Sequence, residues 1–132
     1  MGEQHRVGDP DRPYDPATVE PKPEVAIDDL LALDLRVGRI VEVAAFPEAR
    51  DPAWKLAVDL GPRLGIRWSS AKVANYAAEE LVGRQVVAAV NLGRKRIAGF
   101  VSELLILGGL EPDGTVHLLA PDGSLEPGAP VA

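Results

Sequence analysis

From Leu35 onward, apolar and polar side chains alternate in short runs, which is the period of half-buried β-strands. In the first run, Leu35 to Phe46, Leu35, Val37, Val41 and Val43 share one parity and Arg36 and Glu42 the other. Gly38 interrupts it, and a glycine inside a strand marks a bulge or a sharp coil. After a loop at Pro47 to Pro52, the run Trp54 to Leu60 sets Trp54, Leu56, Val58 and Leu60 against Lys55 and Asp59. Gly61-Pro62-Arg63 turns the chain into a third strand, Gly65 to Ser70, where Ile66 and Trp68 oppose Arg67 and Ser69. The period then changes. Lys72 to Val82, with Ala74, Ala77, Ala78 and Leu81, predicts a short helix or helical turns ended near Gly83. Gln85 to Asn91 and Val101 to Leu107 predict strands four and five. Asp113-Gly114 turns the chain into a short sixth strand, Thr115 to Leu119.

Strand, strand, strand, helix, strand, strand is the order of an OB-fold barrel. The predicted fold is therefore all-β with a short helix: a five-stranded OB barrel with extensions at both ends. Residues 1–24 carry Asp9-Pro10, Arg12-Pro13, Asp15-Pro16 and Pro21-Lys22-Pro23, little of which can enter a core. They predict a disordered acidic arm, leaving residues 25–132 as the domain. Ile27 to Leu33 adds a helical turn with Asp28 as a plausible N-cap. Strands four and five are apolar on both faces over much of their length, and a small barrel has one interior. The second face needs a cover from the helix, from the turn-rich tail 121–132, or from a second copy of the chain.

Charge changes the picture. The 132-residue chain has a net charge of -6, but unevenly placed. Residues 1–34 hold nine acidic and three basic side chains, residues 35–109 seven and eleven, and residues 110–132 four and none. The middle is thus net basic between two acidic ends. On the OB scheme its cations converge. Arg50 lies in the loop joining strands one and two. Lys55 and Arg67 are expected on the outward faces of strands two and three, followed by Lys72. Arg94, Lys95 and Arg96 occupy the loop joining strands four and five. OB folds bind ligands on this face, although three adjacent charges also serve simply as a solvated loop.

Little points to catalysis or to a cofactor. The chain has no cysteine, and its two histidines, His5 and His117, are far apart, so no histidine or cysteine metal cluster is expected. No phosphate-cradling glycine motif appears, and Ser69 and Ser70 have no evident base. Glu79-Glu80 reads as a solvated helix face. The N-terminus leads into no apolar run, and no stretch is long enough to span a bilayer, so a cytoplasmic protein without membrane insertion is expected.

Several motifs in order carry a resemblance: Asp34-Leu35-Arg36-Val37-Gly38-Arg39-Ile40, Phe46-Pro47-Glu48-Ala49-Arg50, Ser69-Ser70-Ala71, Leu81-Val82-Gly83-Arg84-Gln85-Val86, and Arg96-Ile97-Ala98-Gly99-Phe100-Val101-Ser102-Glu103. Across residues 27 to 132 the chain resembles the free-standing tRNA-binding domain family, and within it the CsaA-like secretion-chaperone branch. The resemblance implies an OB-fold homodimer built through the C-terminal extension, with tRNA affinity in the wider family. For the chaperone branch it implies binding of unfolded preproteins and of the SecA translocation motor. Ser102-Glu103-Leu104-Leu105 stands where tRNA-binding members often carry Ser-x-Gly-Met. In an RNA role the cations would hold phosphates, while Ser69, Ser70, Asn75 and Ser102 would bond sugars or bases. In a peptide role the same polar groups would engage backbone, and Phe100 would add apolar contact. The acidic arm is expected to compete for the basic face.

Overall fold

The computed structural model describes residues 8–132. Its centre is an antiparallel sheet of five strands in the order β3-β2-β1-β4-β7, coiled into a nearly closed barrel. β1 is Leu35–Ala45, β2 Trp54–Asp59, β3 Ile66–Ala71, β4 Gln85–Ala89 and β7 Leu105–Ile106. Three short helices accompany them: α1 (Ile27–Leu31), α2 (Gly61–Leu64) and α3 (Ala78–Leu81). Two hairpins are appended. β5 (Lys95–Ile97) pairs with β6 (Phe100–Ser102), and β8 (Gly108–Leu110) with β9 (Val116–Leu118). The interior is filled by Ile40, Leu56, Val58, Leu60, Val73, Leu81, Val86, Ala88, Val90 and Leu104. In β2 the alternating aliphatics Leu56 and Val58 face the interior, as the sequence predicts.

Several details differ from the sequence expectation, each for a physical reason. In β1 the register shifts between Ile40 and Glu42, so the bulge lies at Val41. The parity inverts there: Ile40 is fully buried and Val41 is 43% exposed. Gly38 serves a close approach instead, since a Cβ there would run into Val58 and Leu60. The helix expected over residues 72–82 shrinks to α3. The segment before it is tied elsewhere: Val73 is buried, the Trp54 indole donates to Tyr76 O (3.1 Å), and the Tyr76 hydroxyl accepts from Leu118 N–H (3.0 Å).

The fifth predicted strand breaks at Glu103-Leu104. Its first part pairs back onto Lys95–Ile97, and its last part joins β4. The break closes the barrel: Glu103 N–H donates to Trp68 O at 2.8 Å, and Trp68 N–H donates to the Glu103 carboxylate at 3.2 Å. The sixth predicted strand exists as β9 but forms its own hairpin.

The tail is also part of the β structure. Val37 N–H donates to Ala129 O (2.8 Å), Gly128 N–H to Val37 O (2.7 Å) and Val131 N–H to Leu35 O (2.9 Å). These bonds occupy the side of residues 35–37 that β2 does not reach. Together with Leu119, Pro121 and Leu125, the tail roofs part of the second apolar face around Leu35, Val37, Val87 and Leu107, leaving a groove of about 470 Å³. At the other end, residues 10–18 form turns, and Tyr14 N–H donates to Pro112 O at 3.0 Å. Residues 19–24 are exposed and without regular structure, and residues 1–7 of the predicted arm lie outside the described residues. The N-cap of α1 is Ala26, not Asp28, because the Asp29 carboxylate reaches back to accept from Ala26 N–H (3.1 Å). None of the α1 residues is buried: Ile27 and Leu31 are each 67% exposed.

Candidate functional site

Two segments build a groove on one side of the barrel: the loop between β1 and β2, and the β5–β6 hairpin. The hairpin turns at Ala98 (φ 48°) and Gly99 (φ 83°). Two consecutive positive φ values are the backbone of the tight turn that matches strand twist. Glycine takes that conformation freely, whereas Ala98 takes it at a cost. The hairpin thereby holds Lys95 and Arg96 over the loop that carries Arg50. Arg96 is steadied by a bond from its guanidinium to Gly99 O (3.3 Å). The groove encloses about 330 Å³ and is lined by Arg50, Lys72, Lys95, Arg96 and Ser70 over a floor of Phe46, Ala49, Ala53 and Ile97.

One carboxylate enters it. Asp51 lies 3.0 Å from Lys72 Nζ. The hydrogen bond from Lys72 holds the Asp51 carboxyl below its ordinary range, with the nearby charges of Lys72 and Arg50 acting in the same direction. The Lys72 and Asp51 side chains are more than half exposed, at 72% and 56%, so the pair contributes little to stability and is free to exchange partners.

The remaining cations divide. Lys55 faces outward from β2, as expected, with its ammonium 4.8 Å from the centre of the Phe46 ring and 5.2 Å from that of Phe100. Arg67 does not face outward. It pairs in register with Val58, a core residue, so it points towards the barrel interior and donates to Val90 O (3.4 Å) at its rim. Arg94 also leaves the groove. It lies 3.9 Å from Glu103 and shares a separate hollow of about 210 Å³ with Arg67, Val90 and Gly93.

The serines divide in the same way. Ser70 lines the groove. Ser69 and Ser102 are buried: the Ser69 hydroxyl donates to Leu104 O (3.0 Å), and the Ser102 hydroxyl donates to Ser69 Oγ (3.3 Å) and accepts from Ser70 N–H (3.3 Å). Their hydroxyls hold the barrel seam in this structure instead of facing a ligand. Asn75 is exposed, but its amide donates to Val116 O (3.0 Å), which ties the 72–77 segment to β9.

Phe100 sits where the hairpin meets the sheet, edge-on to Phe46 (5.4 Å) and to Trp68 (6.4 Å). Reading the sequence by parity missed Phe46, Trp68, Asp51 and Ile97 as members of the site. The available signal was in β3, where a serine and an arginine occupy one parity and Trp68 the other. Burial of Ser69 turns Trp68 outward.

Residues 35–130 match the family model described as a putative tRNA-binding domain. The chain is 37% identical over 109 residues to a methionine–tRNA ligase of Porphyromonas gingivalis, a match covering 82% of this chain but 16% of the ligase. Only a small part of that enzyme is therefore shared, and the match lends no ligase chemistry. Among solved structures, the CsaA chaperone protein of Picrophilus torridus is 44% identical with a TM-score of 0.79, covering 83% of this chain and all of that one. The chaperone CsaA of Bacillus anthracis is 43% identical over the same shares, also with a TM-score of 0.79. A family match across most of the chain, borne by the sheet and hairpin that form the groove, makes this protein a member of the tRNA-binding domain family.

Proposed function

We propose that the chain acts by binding, not by catalysis, and that it holds tRNA by its phosphate backbone in the groove between the β1–β2 loop and the β5–β6 hairpin. The observation that carries this reading is the charge of the groove: Arg50, Lys72, Lys95 and Arg96 outnumber the carboxylate of Asp51 among the described residues that line it. Such a surface on an acidic chain selects a polyanion. The Asp51–Lys72 pair exchanges for a phosphate–lysine pair at little cost, because both members are already solvated.

A second reading is a CsaA-like chaperone that binds unfolded preproteins, and SecA, in the cytoplasm. The two CsaA chaperone structures, at 44% and 43% identity, favour it. The groove charge weighs against it, because a secretory signal begins with a positively charged stretch. In either reading the functional unit is a homodimer. The exposed apolar residues of α1 and the unfilled groove beside the tail are suited to a partner's cover. The acidic arm, in this reading, competes with RNA for the basic face.

The test is a paired titration with tRNA and with an unfolded, reduced preprotein at several salt concentrations. Tight, salt-steep tRNA binding supports the first reading. Suppression of preprotein aggregation without tRNA binding supports the second.

A further inference from the structure

The phosphate groove adjoins a second hollow of different chemistry. On the outer face of β2 and β3, a depression of about 400 Å³ is lined by Ala44, Lys55, Trp68, Phe100, Val101 and Glu103. Its walls are aromatic: Trp68 and Phe100 are both partly exposed and stand edge to face, with ring planes 84° apart. At that angle the two rings do not stack flat on each other, and each keeps part of its surface exposed.

The cations here differ in how they are balanced. Lys72 and Arg94 each have a carboxylate partner. Among the described residues Lys55 has none; its charge rests on the faces of Phe46 and Phe100. Residue pairing also fixes the distance between the two sites. Arg96, at the groove, pairs with Val101, and Ile97 pairs with Phe100, so groove and hollow are separated by the width of one hairpin.

We infer that this hollow is a stacking subsite for an unpaired nucleobase of RNA, adjoining the phosphate groove. The inference rests on the RNA-binding reading above and specifies what the groove holds: a strand with at least one base free of pairing. Flat aromatic faces accept any base, because every base has a π-face. Lys55 supplies an unpaired cation for the phosphate or for a base carbonyl oxygen. Glu103 is held by Trp68 N–H and leaves the hollow's aromatic wall in place. A paired base has both faces stacked within its helix, so a duplex would use the groove and leave the hollow empty.

The experiment uses the intact protein with three probes. The first is a short oligouridylate carrying one 2-aminopurine. The second is the same strand annealed into a duplex, and the third is polyglutamate, an anion without bases. The expected result is a change in 2-aminopurine emission on binding of the single strand, absent from the duplex. The expected result with polyglutamate is no change in tryptophan emission. Trp68→Leu should weaken single-strand binding by about 5-fold to 150-fold, the range for one base–aromatic stack. The slope of affinity against salt should stay unchanged, since every phosphate-binding cation is retained. Lys55→Met, which leaves both aromatic walls in place, should weaken the same binding and flatten the slope by about 0.7, the share of one phosphate on a single strand.

Salt-steep binding of the single strand with unchanged 2-aminopurine emission would overturn the stacking subsite and leave the phosphate groove standing. Equal affinity of Trp68→Leu and the unaltered protein would do the same. Failure to bind tRNA or either RNA would overturn both.

Discussion

Trp68 and Glu103 are joined twice, by the Glu103 N–H to the Trp68 carbonyl (2.8 Å) and by the Trp68 N–H to the Glu103 carboxylate (3.2 Å). With the bonds of the Ser69 and Ser102 hydroxyls, this pair forms the seam at which β3 meets the far end of the sheet. Without it the sheet would keep an open edge at β3, with unpaired amides facing out.

Glu103→Ala removes the half of the seam made by the side chain and leaves the main-chain half. The expected loss is about 1.5 to 3 kcal/mol of unfolding free energy, the usual scale for a hydrogen bond to a charged group. Urea unfolding followed by tryptophan emission reads it, since the Trp68 indole borders the seam and Trp54 lies in β2 beside it. An unchanged midpoint would show that the Glu103 side chain adds nothing to the seam.

Arg94, Lys95 and Arg96 are adjacent in sequence but not equivalent in space. Lys95 and Arg96 line the groove, whereas Arg94 points into the hollow beside Glu103. For tRNA binding, Lys95→Ala with Arg96→Ala should flatten the slope of log affinity against log salt by about 0.7 to 0.9 for each phosphate no longer neutralised. Arg94→Ala alone should leave the slope nearly unchanged. Equal effects from all three positions would mean that the ligand reaches both hollows.

Asp51 competes with any anion for Lys72. Its carboxyl is held below the ordinary range chiefly by the Lys72 hydrogen bond. A lowered folded-state value means that the pair's stabilisation is present above the unfolded carboxyl pKa and is lost as pH falls through the folded one. Over that acidic window Lys72 is released while phosphodiesters stay charged, so RNA affinity should rise as pH falls. Asp51→Asn should bind RNA more tightly at neutral pH and lose this part of the pH dependence. Titrations at several pH values check both; parallel curves for the two proteins would remove Asp51 as the competitor.

The hairpin that carries Lys95 and Arg96 is built with a strained residue. Ala98 has φ 48°, where a Cβ is unfavourable, followed by Gly99 at φ 83°. Ala98→Gly should relieve about 1 kcal/mol of strain locally, partly offset by the greater freedom of glycine in the unfolded chain. Slower amide exchange at Ile97 and Phe100 would report the firmer hairpin. Faster exchange there would show that Ala98 is not strained in solution.

Much of this architecture is legible in the alternation of side chains. Leu56 and Val58 predict the inner face of β2, and they are its inner face. Parity fails where one residue is inserted: the bulge at Val41 exchanges inside for outside within β1, and nothing in the apolar pattern announces it. It fails again in β3, where alternation assigns two faces without saying which is inner, and Arg67 lies on the face opposite to the expected one. The convergence of Arg50, Lys72, Lys95 and Arg96 is legible because OB connectivity brings those loops together whatever their side chains. The departure of Arg94 is not, because it depends on Glu103, which faces it across a β5–β6 hairpin that the side-chain alternation does not announce.

β1 is not finished by its neighbours in sequence. The Arg36 guanidinium reaches Gly128 O across 92 residues, and Leu35 and Val37 complete their main-chain bonds with residues 128–131. A chain emerging from the ribosome makes β1 long before residue 131 and cannot close that rail until residue 131 has been made. Until then the first three residues of the strand remain an open template for any other extended chain, including a second nascent copy. Residues 128–131 thus protect a strand made about 90 residues before them, so truncation shortly before residue 128 would release a barrel with an adhesive edge.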